Sequence, residues 1–200
     1  MPLSQYLTSI GVGHVEGHSQ QVPGQVKDLI ELTKGTNINI MEIGFNAGHS
    51  AEVFLSNNPR CTLTSFDLGI HAYVPYSKKY MDNTYPNRHT LILGDSTVTV
   101  PKYINDNPGK TFDVIFIDGG HDYPIANADL ENCKMLATPE TIVMIDDTSY
   151  VGPQADFTIG PTRTWTEHVK SGKIFELGKA DYAPCRGMSW GKYVFTQTPI

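Results

Sequence analysis

Five times in its first 150 residues the chain repeats a short aliphatic, β-branched run followed by a segment with helical spacing. The runs are 37–43, 62–67, 89–93, 111–118 and 141–146, each the length of a buried strand. Helices are expected at 20–32, 47–56, 76–81, 98–105 and 124–136. In the first, Val22, Val26, Leu29 and Ile30 share a face; in the last, Ala126, Leu130 and Cys133 do. Pro101 is placed in the first turn of its helix, where a missing N–H is tolerated. Strands alternating with helices build a mostly parallel sheet covered on both faces. Right-handed crossovers then gather every strand C-terminus along one edge. The last quarter breaks the rhythm: a helix at 161–170 carries Trp165 and Val169, and extended segments at 173–177 and 190–196 have no helix between them. Two such strands either pair antiparallel or lie apart. The stretch 148–162, rich in Gly, Pro and Thr, reads as an active-site loop.

Composition removes several function classes. Two hundred residues suit one domain, divided here into an N-terminal lid and first helix (1–36), a core (37–150), and an acceptor loop with terminal strands (151–200). Charged residues are 18%, with 15 Lys and Arg against 21 Asp and Glu, a net charge of −6. That balance excludes a general nucleic-acid backbone binder and a polybasic membrane anchor. The longest apolar runs, such as Val114–Ile117, cannot span a bilayer. The first basic residue is Lys27, so no secretory signal is expected and the setting is read as cytoplasmic. Cys61, Cys133 and Cys185 form neither a disulfide framework nor a CxxC motif; reduced, structural thiols are expected.

The chemistry gathers at the strand ends. Glu42-x-Gly44-x-x-x-Gly48 joins a strand to a helix through two glycines, which lets a ligand approach the main chain. The N–H groups at that helix start suit an anion, although a plain packing turn accounts for the same pattern. It is not GxGxxG, which disfavours a dinucleotide pyrophosphate. Asp67 ends the second strand 23 residues after Gly44, where an acid binds ribose hydroxyls in doubly wound folds; its competing reading is a turn cap. Gly94-Asp95-Ser96 closes the third strand, with Asp95 facing an exocyclic amine or capping a helix. Asp118 closes the fourth strand and Asp146-Asp147 the fifth.

These motifs resemble a class I S-adenosylmethionine-dependent methyltransferase. Phe116-Ile117-Asp118-Gly119-Gly120-His121-Asp122-Tyr123 followed by Ile145-Asp146-Asp147 narrows the resemblance to the methyltransferase domain 24 family, over roughly residues 16–150. Relatives there include metal-dependent catechol, caffeoyl-CoA and sugar O-methyltransferases. The resemblance implies an α/β, Rossmann-like three-layer sandwich with a seven-stranded, mostly parallel sheet and an antiparallel C-terminal pair. It implies that Gly44 and Gly48 line the methionine part of the cofactor, with Glu42 organising the loop and Phe45, Asn46, His49 and Ser50 around it. Asp67 with Leu68 would hold the ribose, Gly94, Asp95 and Ser96 the adenine end, and Asp118 would reach the cofactor too. Asp118, Asp146 and Asp147 match the metal ligands of the metal-dependent members. Three hard oxygen donors suit Mg²⁺ or Ca²⁺, with Mg²⁺ or Mn²⁺ the cation expected, and without a cation they would repel one another.

Methyl transfer needs an aligned, deprotonated acceptor. His121, three residues beyond Asp118, is read as the general base, against a purely pocket-shaping role. His14 and His18 lie in a glycine-containing segment read as a lid or as a surface loop. His71 and Tyr73 are placed at the border of the site, while His89 and His168 are read as structural or solvated. Trp165 is expected in the core and Trp190 in the core or an interface. The function expected is transfer of a methyl group from S-adenosylmethionine to a hydroxyl of a small polyhydroxylated acceptor, a rhamnose-like sugar on a glycan first, assisted by a divalent metal. A catechol or phenol acceptor is the alternative; from another class, a nicotinamide-dependent oxidoreductase or a non-catalytic nucleotide-binding module. The acceptor is a small molecule or glycan, with no nucleic acid and no membrane insertion. A homo-oligomer, or one domain of a larger multidomain enzyme, stays open.

Overall fold

In the computed structural model, which describes residues 1–195, the five apolar runs pair as parallel strands. They are β1 (Asn39–Ile43), β2 (Thr62–Asp67), β3 (His89–Leu93), β4 (Val114–Ile117) and β5 (Ile142–Asp146). Two further strands, β6 (Ile174–Ala183) and β7 (Arg186–Tyr193), form an antiparallel pair. The order is β3-β2-β1-β4-β5-β7-β6. Helices α1 (Leu3–Ser9), α2 (Pro23–Leu32), α3 (His49–Asn57), α4 (Val74–Thr84), α5 (Ser96–Asp106), α6 (Tyr123–Cys133) and α7 (Asp156–Lys170) accompany it. This is the expected α/β, Rossmann-like sandwich. Among the described residues no helix is long and apolar enough to cross a membrane.

Period-two alternation divides the sheet between two cores. Ile40, Leu63, Val114, Phe116 and Met144 face α1–α4, where Phe54 meets Phe116 edge to face at 5.8 Å. Met41, Ile43, Phe66, Ile115 and Ile145 face α5–α7, where Trp165 is fully buried and donates its indole N–H to Glu176 Oε2 at 2.7 Å. Burial of each such side chain contributes about 1.5–3 kcal/mol. Trp190 is half-buried against the first core, over Gly178 on β6, where a Cβ would meet the indole at 2.5 Å.

Several boundaries differ from the sequence expectation. Helix α1 was not expected: its apolar face is only Leu3 and Leu7, and it is held by docking, with Leu3 N–H donating to Glu52 Oε1 at 2.7 Å. The expected 20–32 helix is a short turn (Ser19–Gln21) followed by α2, which Pro23 restarts. Helix α5 begins at Ser96, so Pro101 lies inside it, beyond the first turn. The expected 148–162 loop is helical from Asp156, because Thr158, Thr162 and Trp165 are buried along one side of α7. Strand β6 runs six residues past 177 because β7 pairs along it. Strand β7 starts at Arg186, and Thr196, where the expectation ended, lies outside the described residues.

Candidate active site

The chain turns from β1 toward β2 and β3 on one side, and from β4 toward β5 on the other. Loops leaving β1 and β4 therefore diverge, and such switch points open a crevice at the strand C-termini. A cavity of about 690 Å³ lies there, within the size range of small-molecule sites. Gly44 makes the junction possible. Its φ is +96°, and a Cβ would fall 1.8 Å from the Asp118 carbonyl oxygen. The close approach is held by Asp118 N–H donating to Ile43 O at 2.8 Å, while Gly44 N–H donates to Phe66 O on β2 at 2.7 Å.

Asp67 reaches this cavity with both oxygens already oriented. Oδ2 accepts the Asn46 N–H and Oδ1 the Gly69 N–H, each at 2.7 Å. A carboxylate has about four acceptor sites, so two backbone donors leave capacity for a ligand. Asn46, Leu68, Gly94, Asp95 and Ser96 line the same cavity. Asp95 is also the N-cap of α5: its Oδ1 accepts from the Thr97 hydroxyl at 2.7 Å and from Thr97 N–H at 2.9 Å. Those bonds hold its carboxyl below the usual range.

Glu42, Phe45, Gly48, His49 and Ser50 do not form the cavity wall. Phe45 is buried and stacks on His89 at 5.0 Å, while Gly48, at φ +85°, starts α3 against Phe45 and Met81. Glu42 is fully buried beneath the loop, accepting from Ser50 Oγ at 2.6 Å and Ser65 Oγ at 2.7 Å. Burial pushes its carboxyl up from 4.5 to about 7, the two serine bonds oppose this, and Asp67 adds to it. The folded chain thus keeps a proton that the unfolded chain releases near pH 4.5. This stabilisation is complete below that pH and is lost as pH rises through about 7, up to about 3 kcal/mol. Glu42→Gln removes the titration and can still accept from one serine and donate to the other. Between pH 5 and 8 its Tm should fall less than that of the wild type; parallel Tm curves would refute the assignment.

At the ends of β4 and β5, Asp118, His121 and Asp147 bring potential ligand atoms within 4.8 Å of one another. Asp146 does not join that group. It continues the face of Met144, toward α2, where its Oδ1 accepts from Gln25 Nε2 at 2.6 Å. Asp147 follows outside the strand, at φ +54°, and meets His121, while both acids line the cavity. His121 Nε2 lies 3.0 Å from Asp147 Oδ2, and this bond raises the imidazole pKa against the effect of burial. Burial, then Asp146 and Asp147, push Asp118 well above the carboxylate range; burial and Asp147 also raise Asp146. A converging set of oxygen donors whose ionisation is opposed by burial and like charge fits a divalent cation chemically.

Residues 11–18, between α1 and the turn at Ser19–Gln21, contribute His14, Glu16 and His18 to the wall. Both ends of this strap are tied to α3. Glu52 accepts from Leu3 N–H and, through Oε2, from Gln20 Nε2 at 2.8 Å; the His18 ring stacks on His49 at 3.6 Å. Burial first, then His18, lowers His49 to about 4. Across the mouth Glu16 Oε2 lies 3.4 Å from His71 Nε2, and His71 stacks on Tyr73. His89 and His168 are buried and bonded to Ser65 and Glu131, away from the cavity. A shallower groove of about 660 Å³ runs beside Glu52 on the other side, without converging acids. Sequence reasoning missed Gln25, Phe157 and Arg186. All three reach the site through tertiary packing, and none lies in a local motif.

Among solved structures, an O-methyltransferase from Bacillus cereus in complex with SAH superposes with a TM-score of 0.73 at 16% identity, covering 95% of this chain and 88% of that one. The O-methyltransferase TomG from Streptomyces achromogenes, in complex with SAM, gives 0.72 at 15% identity, with 96% and 88% covered. CalS11, a TDP-rhamnose 3'-O-methyltransferase of calicheamicin biosynthesis, gives 0.65 at 19% identity, with 96% and 86% covered. At these identities the likeness is one of fold. No curated protein sequence matches the chain. The family model described as a methyltransferase domain matches residues 41–148, from within β1 to just beyond Asp147. That span is more than half of the sequence and includes every acid at the cavity's edge except Glu16, so the chain belongs to the methyltransferase domain family.

Proposed function

We propose that this protein is an S-adenosylmethionine-dependent O-methyltransferase acting on a hydroxyl of a small polyhydroxylated acceptor, a sugar first, with a divalent cation. The observation that carries the reading is the convergence of Asp67, Asp118, His121 and Asp147 on one cavity at the sheet's switch point. Family membership supports methyl transfer, and the SAH, SAM and TDP-rhamnose named for the neighbours support cofactor and acceptor class. Gly44 and Asn46 would border the methionine end, Asp67 the ribose hydroxyls, and Gly94, Asp95 and Ser96 the adenine. Bound S-adenosylmethionine supplies the electrophilic sulfonium methyl. A cation held by Asp118 and Asp147, with Asp146 behind them, would lower the pKa of an acceptor hydroxyl.

The chain's own residues do the rest. His121 accepts the acceptor's hydroxyl proton at Nδ1, the ring nitrogen opposite the one that Asp147 holds. Asp147, bonded to the same ring, orients it and stabilises the imidazolium that forms. Gly160 lets α7 pack directly under the His121 backbone: a Cβ there would lie 2.0 Å from His121 O. The strap 11–18 limits access of water above the site.

A catechol or phenol acceptor is the second reading, favoured by the Phe157 ring 5.8 Å from His121. Labelled-methyl transfer to sugars and catechols tests both, with Mg²⁺ or Mn²⁺ and with EDTA. Transfer should fall at least about 10-fold in EDTA and return with the cation. Full activity in EDTA would remove the cation from the reading, and transfer to neither acceptor class would refute the acceptor assignment.

A further inference from the structure

Arg186 is the one partly buried arginine left without hydrogen bonds among the described residues, and it lies in the cavity wall. Strand register puts it there. Met188 pairs with Asp146, so the residue two places earlier on β7 extends past the end of β5 and over the site. A tight turn, with Cys185 at φ +58°, pairs Ala183 with Arg186 and fixes that start. The side chain is 27% exposed, and its closest acid contact is Nε to Asp147 Oδ1 at 4.0 Å, outside hydrogen-bond range.

Arg88 supplies an internal contrast. It is also partly buried, and it donates to the carbonyls of Cys61, Leu55 and Asn58. A guanidinium carries five N–H donors in a planar fork, and those of Arg186, 27% exposed, are not taken up by the protein and stay available to a ligand. Were Arg186 only a counter-charge for Asp147, a bidentate contact near 2.8 Å would be the favoured geometry. Asp147 instead gives Oδ2 to His121 at 3.0 Å. The strap passes directly over the guanidinium: a Cβ on Gly17 would lie 3.2 Å from Nη1. The base and a guanidinium free of protein hydrogen bonds therefore flank the two oxygens of one carboxylate in the cavity wall.

We propose that Arg186 is an acceptor-recognition residue and that the acceptor carries an oxyanion, a carboxylate or a phosphate, near the hydroxyl that is methylated. The proposal rests on the methyltransferase reading and names its acceptor class. It predicts bidentate capture of the oxyanion by the guanidinium while the hydroxyl meets His121.

Calorimetry on SAH-saturated protein with Mg²⁺ tests it through matched probes: 3,4-dihydroxybenzoate against catechol, glucuronate against glucose, and glucose 6-phosphate against glucose. At least one anionic probe should bind 10-fold or more tightly than its neutral partner, and the pair that shows this tells carboxylate from phosphate. Arg186→Met should reduce the preference below twofold while SAH affinity stays within twofold, which reports an intact fold. Arg186→Lys should keep part of it, as a charge without the fork. The proposal is overturned if no anionic probe outbinds its partner, or if the preference survives Arg186→Met. Failure of SAH to bind the wild type would sink the methyltransferase reading and this proposal together; SAH binding without an anion preference sinks this proposal alone.

Discussion

Replacing His121 with alanine is expected to lower kcat by roughly 10²- to 10⁴-fold, the usual contribution of a positioned general base. The imidazole is half-exposed at the cavity, its Nε2 is 3.0 Å from Asp147 Oδ2, and α7 abuts its backbone through Gly160. Removing the ring leaves the backbone and α7 packing in place, so SAH affinity and Tm should change little. The acceptor KM should change less than kcat. Added imidazole should restore part of the rate, since it replaces the lost proton acceptor. Mn²⁺ affinity measured on the same variant separates two roles that the geometry brings close together. A kcat loss with Mn²⁺ binding kept within about threefold fits the base. A loss of Mn²⁺ binding as large as the rate loss would make His121 a ligand and leave the base unassigned.

Gly44→Ala is expected to have the larger structural effect. An L residue at φ +96° is strained by about 1–3 kcal/mol. The new Cβ would also lie 1.8 Å from Asp118 O and 2.6 Å from its carbonyl carbon. Both are backbone atoms between adjacent strands, with no flexible side chain to yield. The β1 and β4 ends must separate, which threatens the Asp118-to-Ile43 hydrogen bond and displaces Asp67's partner Asn46. A loss above about 4 kcal/mol follows, or roughly 10 °C in Tm for a chain of this size. SAH affinity should fall with it. Gly109→Ala is the control: its φ is +79°, yet no atom lies within 4 Å of the added Cβ, so only backbone strain is read. Equal Tm losses in the two variants would contradict the close-approach argument.

The parallel sheet and the edge that carries the site were legible because the evidence for them is local. Strands such as Val114–Ile117 are short apolar runs, and the helices between them show their spacing within one or two turns. Asp67, Gly94 and Asp118 stand at strand ends, so parallel pairing alone carries them to one edge. Features set by distant packing were hidden. Helix α1 has two apolar anchors and depends on Glu52, 49 residues away. The N-terminal half of α7 was masked by Gly160-Pro161, a pair that reads as a breaker; yet Gly160 is what permits contact with the His121 loop. Asp146 and Asp147 both line the cavity, as their adjacency at the end of β5 suggests, but that Gln25 on α2 holds Asp146 while His121 meets Asp147 depends on tertiary packing. Arg186 gave no local signal, since its position depends on the pairing of Met188 with Asp146.

Calorimetric titration of S-adenosylhomocysteine and NAD into the wild-type protein tests the central claim most directly. The account predicts saturable one-to-one binding of S-adenosylhomocysteine and none of NAD, with Asp67 serving the ribose and Gly44 and Asn46 the methionine end. Binding of NAD in its place, or no binding of S-adenosylhomocysteine, would contradict it.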